Sequence, residues 1–277
     1  MTINPVVLDQ KTCYLSHPEG RIAYEVDGVG PLVVLVPGMG DLRAAYRFLA
    51  PMLRNAGYRV ACTDLRGHGD SDTTFTSYGD VETGSDVIAL IEELGGPAVI
   101  AGNSMAAGSA VFAAAERPDL VSGLVLIGPF VRNGKVSTLQ RLLLRVAMAR
   151  AWAPTSWKAY MPKLYAGQRP ADFDNYRARV VAQLRRPGYA KAFSLTTRTS
   201  HDESEARLTA VSAPTLVLMG EKDPDFPDPK AEADWIGDTL SAEVVMVPDA
   251  GHYPQSQRPD ITTDAVLRFL ETVDARA

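Results

Sequence analysis

Three side chains of this 277-residue chain suit one another chemically: the hydroxyl of Ser104, the carboxylate of Asp223 and the imidazole of His252. A serine becomes a strong nucleophile when an imidazole can take its proton. The imidazole in turn needs an acid to fix its tautomer and stabilise its cation. Ser104 sits in Gly102-Asn103-Ser104-Met105-Ala106, with small residues two before and two after it. Taken alone, these five residues fit either a nucleophile on a tight turn or a serine that caps a helix. The alanine at the last position departs from the Gly-x-Ser-x-Gly pattern of a nucleophile turn. The two downstream groups favour the nucleophile, provided that the fold brings them to the same place.

The elements that must do so are legible as alternating apolar runs and helical periods. PLVVLVPG (31–38), YRVACTD (58–64), PAVIAGNS (97–104), GLVLIGP (123–129), APTLVLMGEKD (213–223) and EVVMVPD (243–249) read as strands. Their near-continuous apolar character predicts a mostly parallel sheet covered by helices on both faces. Helical spacing is expected around 46–53, over 85–96, through SAVFAAAERP, near 229–240 and from about 261 to 274. The opening TCYLSHPEGRIAYEVDG alternates about Pro18-Glu19-Gly20 and predicts an antiparallel hairpin. From Val131 to Arg207 the strand rhythm stops. Arg, Ala, Leu and aromatic residues then recur at helical spacing, as in STLQRLLLRVAMARAW. Ser104, Asp223 and His252 therefore follow the C-terminal ends of three strands, on one edge of the sheet.

In that order the three residues, with their strand context, resemble the α/β-hydrolase superfamily across nearly the whole chain. The resemblance implies that Ser104 is the nucleophile, His252 the base and Asp223 the acid. It also implies an oxyanion hole formed by the backbone N–H groups of Met39 and Met105. Met39 lies in Val36-Pro37-Gly38-Met39-Gly40, where Pro37 replaces the histidine that usually opens this loop and braces it. Asp64-Leu65-Arg66-Gly67-His68-Gly69-Asp70-Ser71 matches the Asp-x-Arg-Gly-x-Gly-x-Ser turn of the superfamily. The expected organisation is an α/β-hydrolase core of residues 1–130 and 208–277, with a helical cap inserted at 131–207.

The expected chemistry is cleavage of a small-molecule ester, thioester or lactone through an acyl-serine. Gly102-Asn103-Ser104-Met105 is also similar to the elbow of the meta-cleavage product hydrolases, which cut C–C bonds, although those carry Trp after the histidine and here Tyr253 follows. A slow-turnover receptor with an intact triad is the third reading. Trp152, Trp157, Tyr160, Met161 and Tyr165 are expected on the buried face of the cap, which favours an apolar or aromatic substrate. Arg141, Arg145, Arg150, Arg177, Arg179, Arg185, Arg186 and Arg198 are so numerous that most must form a solvated face; one turned inward would instead bind a carboxylate.

His68 reads as a solvent-facing or turn-bracing residue, and His17 and His201 read as surface residues. Asp225 and Asp228 stand close enough to Asp223 to compete for the acid role, and Glu221 reads as a solvated charge. A net charge of −5 offers no basic footprint for nucleic acid or an anionic membrane surface. No apolar run is long enough to span a bilayer, and two cysteines, Cys13 and Cys62, are too few for a disulfide framework. Neither a cofactor nor a metal is called for. With no secretory signal visible at the N-terminus, cytoplasmic residence is the default expectation.

Overall fold

The computed structural model describes residues 11–134 and 138–275. The ends of the expected core, 1–10 and 276–277, residues 135–137 of the expected cap and the Arg141 side chain lie outside the described residues. The strands β1 (Cys13–His17), β2 (Gly20–Asp27), β3 (Leu32–Val36), β4 (Arg59–Thr63), β5 (Ala98–Asn103), β6 (Val121–Ile127), β7 (Thr215–Gly220) and β8 (Glu243–Val247) form one eight-stranded sheet. Its order is β1-β2-β4-β3-β5-β6-β7-β8. The hairpin β1–β2 joins β4 antiparallel, and every pairing from β4 through β8 is parallel.

The helices are α1 (Leu49–Asn55), α2 (Asp80–Leu94), α3 (Ala106–Glu116), α4 (Thr138–Ala147), α5 (Ala153–Leu164), α6 (Phe173–Leu184), α7 (Tyr189–Thr196), α8 (Asp202–Glu205), α9 (Pro229–Leu240), α10 (Pro254–Gln257) and α11 (Pro259–Asp274). Apolar faces of α2, α3 and α9 pack on one side of the sheet through Val87, Leu90, Ile91, Ala110 and Ile236. On the other side α1 and α11 pack through Leu49, Leu53, Val266, Phe269 and Leu270. With both faces covered, β3, β5 and β7 are buried along their whole length. Such strands carry no polar alternation, and their sequences show none.

Helix α2 begins five residues before the expected 85–96 segment, because Asp80 and Glu82 in its first turn are acidic and interrupt the apolar period. Negative charge is favourable at that end of a helix. Between β6 and β7 the chain runs through α4–α8. There Trp157, Met161, Leu164, Tyr165, Phe173, Tyr176 and Phe193 form a cluster that also takes in Tyr253. Trp152 departs from the expected buried face: it is 47% exposed and its indole donates to the Val146 carbonyl at 2.8 Å. It precedes the first turn of α5, off the stripe that Trp157 and Met161 share.

Candidate active site

Parallel pairing in register brings the strand ends together. Val36 lies opposite Gly102, Asn103 opposite Ile127, Ile127 opposite Leu218 and Gly220 opposite Val247. The loops that follow β3, β5, β6, β7 and β8 therefore share one edge. Ser104 follows β5 with φ 59°, a left-handed conformation that a non-glycine residue rarely adopts without a reason. Its N–H donates to Ile127 O at 2.9 Å, and its carbonyl accepts from Phe130 N at 3.2 Å. Crowding explains the small neighbours: a Cβ on Gly102 would sit 2.3 Å from Ala106 O, and one on Gly38 would sit 2.8 Å from Ser104 Cβ. The departure at Ala106 is accommodated, its methyl being fully buried at the start of α3.

Asp223 and His252 meet directly. His252 Nδ1 lies 2.7 Å from Asp223 Oδ2, and both side chains are buried. Asp228 is committed elsewhere, and Asp225 stands beyond hydrogen-bond reach of the imidazole. Asp228 caps α9 by accepting from Ala231 N, and Asp225 Oδ2 stands 3.9 Å from His252 Nδ1 while Asp225 Oδ1 accepts from the Tyr160 hydroxyl. Glu221 is exposed. Burial opposes charge on His252, but the charge and hydrogen bond of Asp223 outweigh it, with Asp225 and Asp41 adding to them, and push the imidazole up to about 9. Ligand-type atoms of Asp223, Asp225 and His252 gather within 4.8 Å of one another. The 2.7 Å contact inside that group is the span of a shared proton and leaves no room for a cation between the pair.

Several positioning contacts carry no signal in the sequence. The Asn103 amide donates to Ile127 O at 2.9 Å and to His252 O at 3.2 Å, so the residue beside Ser104 holds the histidine loop in place. Phe130 packs edge-on to His252, its ring centroid 5.9 Å away, and stacks on Phe226 and His201. Helix α5 reaches three of the loops at this edge, those after β3, β7 and β8. Trp157 Nε1 donates to Gly40 O at 2.8 Å, Tyr160 reaches Asp225, and Leu164 O accepts from His252 N at 2.8 Å. That last bond satisfies a carbonyl in the final turn of α5, which has no partner within the helix.

In the loop after β3, Met39 is half-buried and packs on the core, whereas Met105 is fully buried, its sulfur 3.4 Å from the Thr199 hydroxyl. His68 braces this loop: its Nε2 accepts from Gly40 N at 3.0 Å and its Nδ1 lies 3.0 Å from Arg66 O. The brace that Pro37 cannot supply comes from the turn after β4. His17 is half-buried against Phe75. His201, expected at the surface, is 7% exposed, with Nδ1 2.8 Å from Asp80 Oδ2. The polar residues around it in sequence suggest a solvated loop, but Phe130 and Asp80, distant along the chain, enclose it. Of the described arginines expected between 131 and 207, Arg145, Arg150, Arg179, Arg185, Arg186 and Arg198 are exposed, and Arg177 pairs with Asp174.

The model of the alpha/beta hydrolase family matches residues 33–265. The chain is 29% identical over 269 residues to a 2-(acetamidomethylene)succinate hydrolase of Mesorhizobium japonicum, a match covering 91% of this chain and 93% of that one. Among solved structures, a thermophilic esterase from Thermogutta terrifontis superposes with a TM-score of 0.76 at 25% identity, over 95% of this chain and 99% of the esterase. A bromoperoxidase from Bacillus anthracis shares the fold, with a TM-score of 0.82 at 19% identity over 95% of this chain and all of the other. No helix among the described residues is long and apolar enough to cross a membrane. Sheet order, strained serine turn and family match agree: the chain belongs to the α/β-hydrolase family.

Proposed function

We propose that this chain is a serine hydrolase that cleaves a small-molecule ester, thioester or lactone through an acyl-serine, with residues 131–207 as a cap over the site. The observation that carries the reading is the buried 2.7 Å contact between His252 Nδ1 and Asp223 Oδ2, tied through Asn103 to the strained turn of Ser104. With Nδ1 engaged by Asp223, Nε2 is the nitrogen available to Ser104. Ser104 Oγ attacks the carbonyl carbon as its proton passes to His252 Nε2, and the carbonyl oxygen takes up the negative charge. The N–H groups of Met39 and Met105 receive that oxyanion. Collapse breaks the acyl–oxygen or acyl–sulfur bond, and the leaving group takes the proton from His252. Water then repeats the sequence on the acyl-serine, and Ser104 recovers its hydrogen.

Phe130, Phe226, Trp157 and Tyr160, which cluster around His252 and Gly40, favour an apolar or aromatic acyl group. The name of the Mesorhizobium relative describes a substrate with an acetamido group, which contains an acyl carbonyl carbon. Asn103, which invites comparison with C–C hydrolases, spends its amide on two backbone carbonyls. That positional task is common to any reaction at Ser104.

The test is Ser104→Ala, read with p-nitrophenyl acetate and by covalent labelling with a fluorophosphonate. Turnover and labelling should both vanish, while the thermal midpoint stays within a few degrees. Full turnover in the variant refutes the reading. Labelling of the unaltered protein with turnover below about once per minute favours a receptor, given enzyme medians near ~10 per second.

A further inference from the structure

Helix α5 holds one contact that the chemistry above does not use. We propose that Asp225 is a positioning residue for His252, and that the Tyr160 hydroxyl sets how much of its charge the imidazole feels, so that seating of α5 tunes the base. The inference rests on His252 being the base.

Two carboxylates face the same ring nitrogen. Asp223 Oδ2 is 2.7 Å from His252 Nδ1, and Asp225 Oδ2 is 3.9 Å from it, beyond hydrogen-bond reach but close enough for a strong Coulombic pull in a buried site. The Asp225 backbone N–H donates to Asp223 Oδ1 at 3.0 Å, so the two aspartates belong to one folded loop. Asp41, on the loop after β3, adds a more distant negative charge. All three acids favour the imidazolium. A base that must accept the Ser104 proton has to be neutral at that moment, so too much negative charge disables it.

Tyr160 is the counterweight. Burial pushes the Asp225 carboxyl up; the Tyr160 hydroxyl, donating to Oδ1, opposes that and keeps it charged, while the dipole of the bond screens the charge from His252. The phenol cannot drift independently of the site. Trp157, one turn earlier on α5, packs 5.9 Å from its ring and donates to Gly40 O, and Leu164, one turn later, accepts from His252 N. With α5 seated, the Asp225 charge is partly screened from His252 and both neighbouring loops are held. With α5 displaced, Asp225 presents its full charge to His252, which then keeps its proton, and Ser104 has no base. Phe130 and Tyr253, which also contact the ring, are aromatic, and the Tyr253 hydroxyl is held neutral by burial.

The test follows the acid limb of kcat/KM for p-nitrophenyl acetate, and independently the His252 imidazole titration by NMR, in Asp225→Asn, Tyr160→Phe and the double variant. Asp225→Asn should move the titration down by about 1–2 units. Tyr160→Phe should move it up by about half a unit, a fraction of what a hydrogen bond to a charged group is worth, because the bond reaches the ring only through Asp225. The double variant should coincide with Asp225→Asn, because Tyr160 acts only through that carboxylate. Asp225→Ser repeats the first comparison should the asparagine variant fold poorly. An unmoved titration in Asp225→Asn, or additive shifts in the double variant, overturns the proposal. Because the NMR titration needs no substrate, it stands whether or not p-nitrophenyl acetate turns over, which separates failure here from failure of the hydrolase reading.

Discussion

His68 and His252 are buried to the same extent, each 2% exposed, and each lies on a loop after a parallel strand. Their charge preferences are opposite. His68 meets a backbone N–H at Nε2 and a carbonyl at Nδ1, and burial pushes it down to about 4, only partly opposed by the Arg66 carbonyl. Since Gly40 supplies a donor, Nε2 must accept, so Nδ1 carries the hydrogen and the ring is neutral. His252 meets carboxylates and is pushed up to about 9. Equal burial thus gives a fixed neutral strut in one place and a ring that favours its charged form in the other. The partners decide which, not the depth.

The severest way to break this contrast is to give His252 neutral partners like those of His68. Asp223→Asn keeps the side-chain shape but removes the charge and offers an amide to Nδ1, which favours the wrong tautomer. The expected loss in kcat is about 10⁴-fold, the scale seen when the acid of such a triad is replaced. The acid limb of kcat/KM should also shift to lower pH. Steady-state rates, with circular dichroism to verify folding, check this; a loss below about tenfold would mean that Asp225 or another group supplies the acid.

The second test uses stability. His68 has a folded-state pKa below its unfolded value of 6.5, so between pH 6.5 and about 4 the unfolded chain binds a proton that the native one refuses. Stability should therefore fall as pH drops through that window, by up to roughly 3 kcal/mol from this group. His252 has the reverse sign: its proton is held by the native state up to about 9, so its contribution is complete below 6.5 and is lost as pH rises towards 9. Urea unfolding across pH 4–9 should show a maximum between the two limbs. His68→Gln, which can still accept from Gly40, should flatten the acid limb and leave the alkaline one. An unchanged acid limb would show that carboxylates dominate it.

These contrasts also mark what a sequence can show. The strands of the sheet are readable because burial on both faces leaves unbroken apolar runs, and parallel topology then sends the loops after β5, β7 and β8 to one edge. Asp223, the first aspartate after its strand and followed by Pro224, is readable for the same local reason. The Tyr160–Asp225 contact spans 65 positions, and the Gly40–His68 bond spans 28. No periodicity encodes either, since each depends on how a helix or turn packs over the sheet edge. The misjudged residues share that cause. Trp152 lies just off the packed stripe of α5 and is exposed, whereas His201 is enclosed by residues 71 and 121 positions away.

His201 refines the comparison, being a third buried histidine and, like His252, one that faces a carboxylate. Asp80 Oδ2 takes both His201 Nδ1 at 2.8 Å and the Ser204 hydroxyl at 2.6 Å, and Ser204 Oγ also lies 2.9 Å from Gly108 O. The cluster joins the return of the helical segment to α2 and α3. The His201 backbone N–H donates at 3.1 Å to Asn133 Oδ1, on the chain that leads from β6 into that segment, so both stems meet there. Phe130 stands between the two histidines, stacked on one and edge-on to the other, each at 5.9 Å. Facing a carboxylate therefore does not by itself give His201 the role proposed for His252. His201→Ala strips Asp80 of one buried partner and should cost about 1–3 kcal/mol in urea unfolding. Its effect on kcat should stay within a few-fold, since the Asp223–His252 pair is untouched. A loss of kcat beyond about tenfold with unchanged stability would show that Phe130 relays the position of His201 to His252, and the two acid-faced histidines would then have to be counted as one unit.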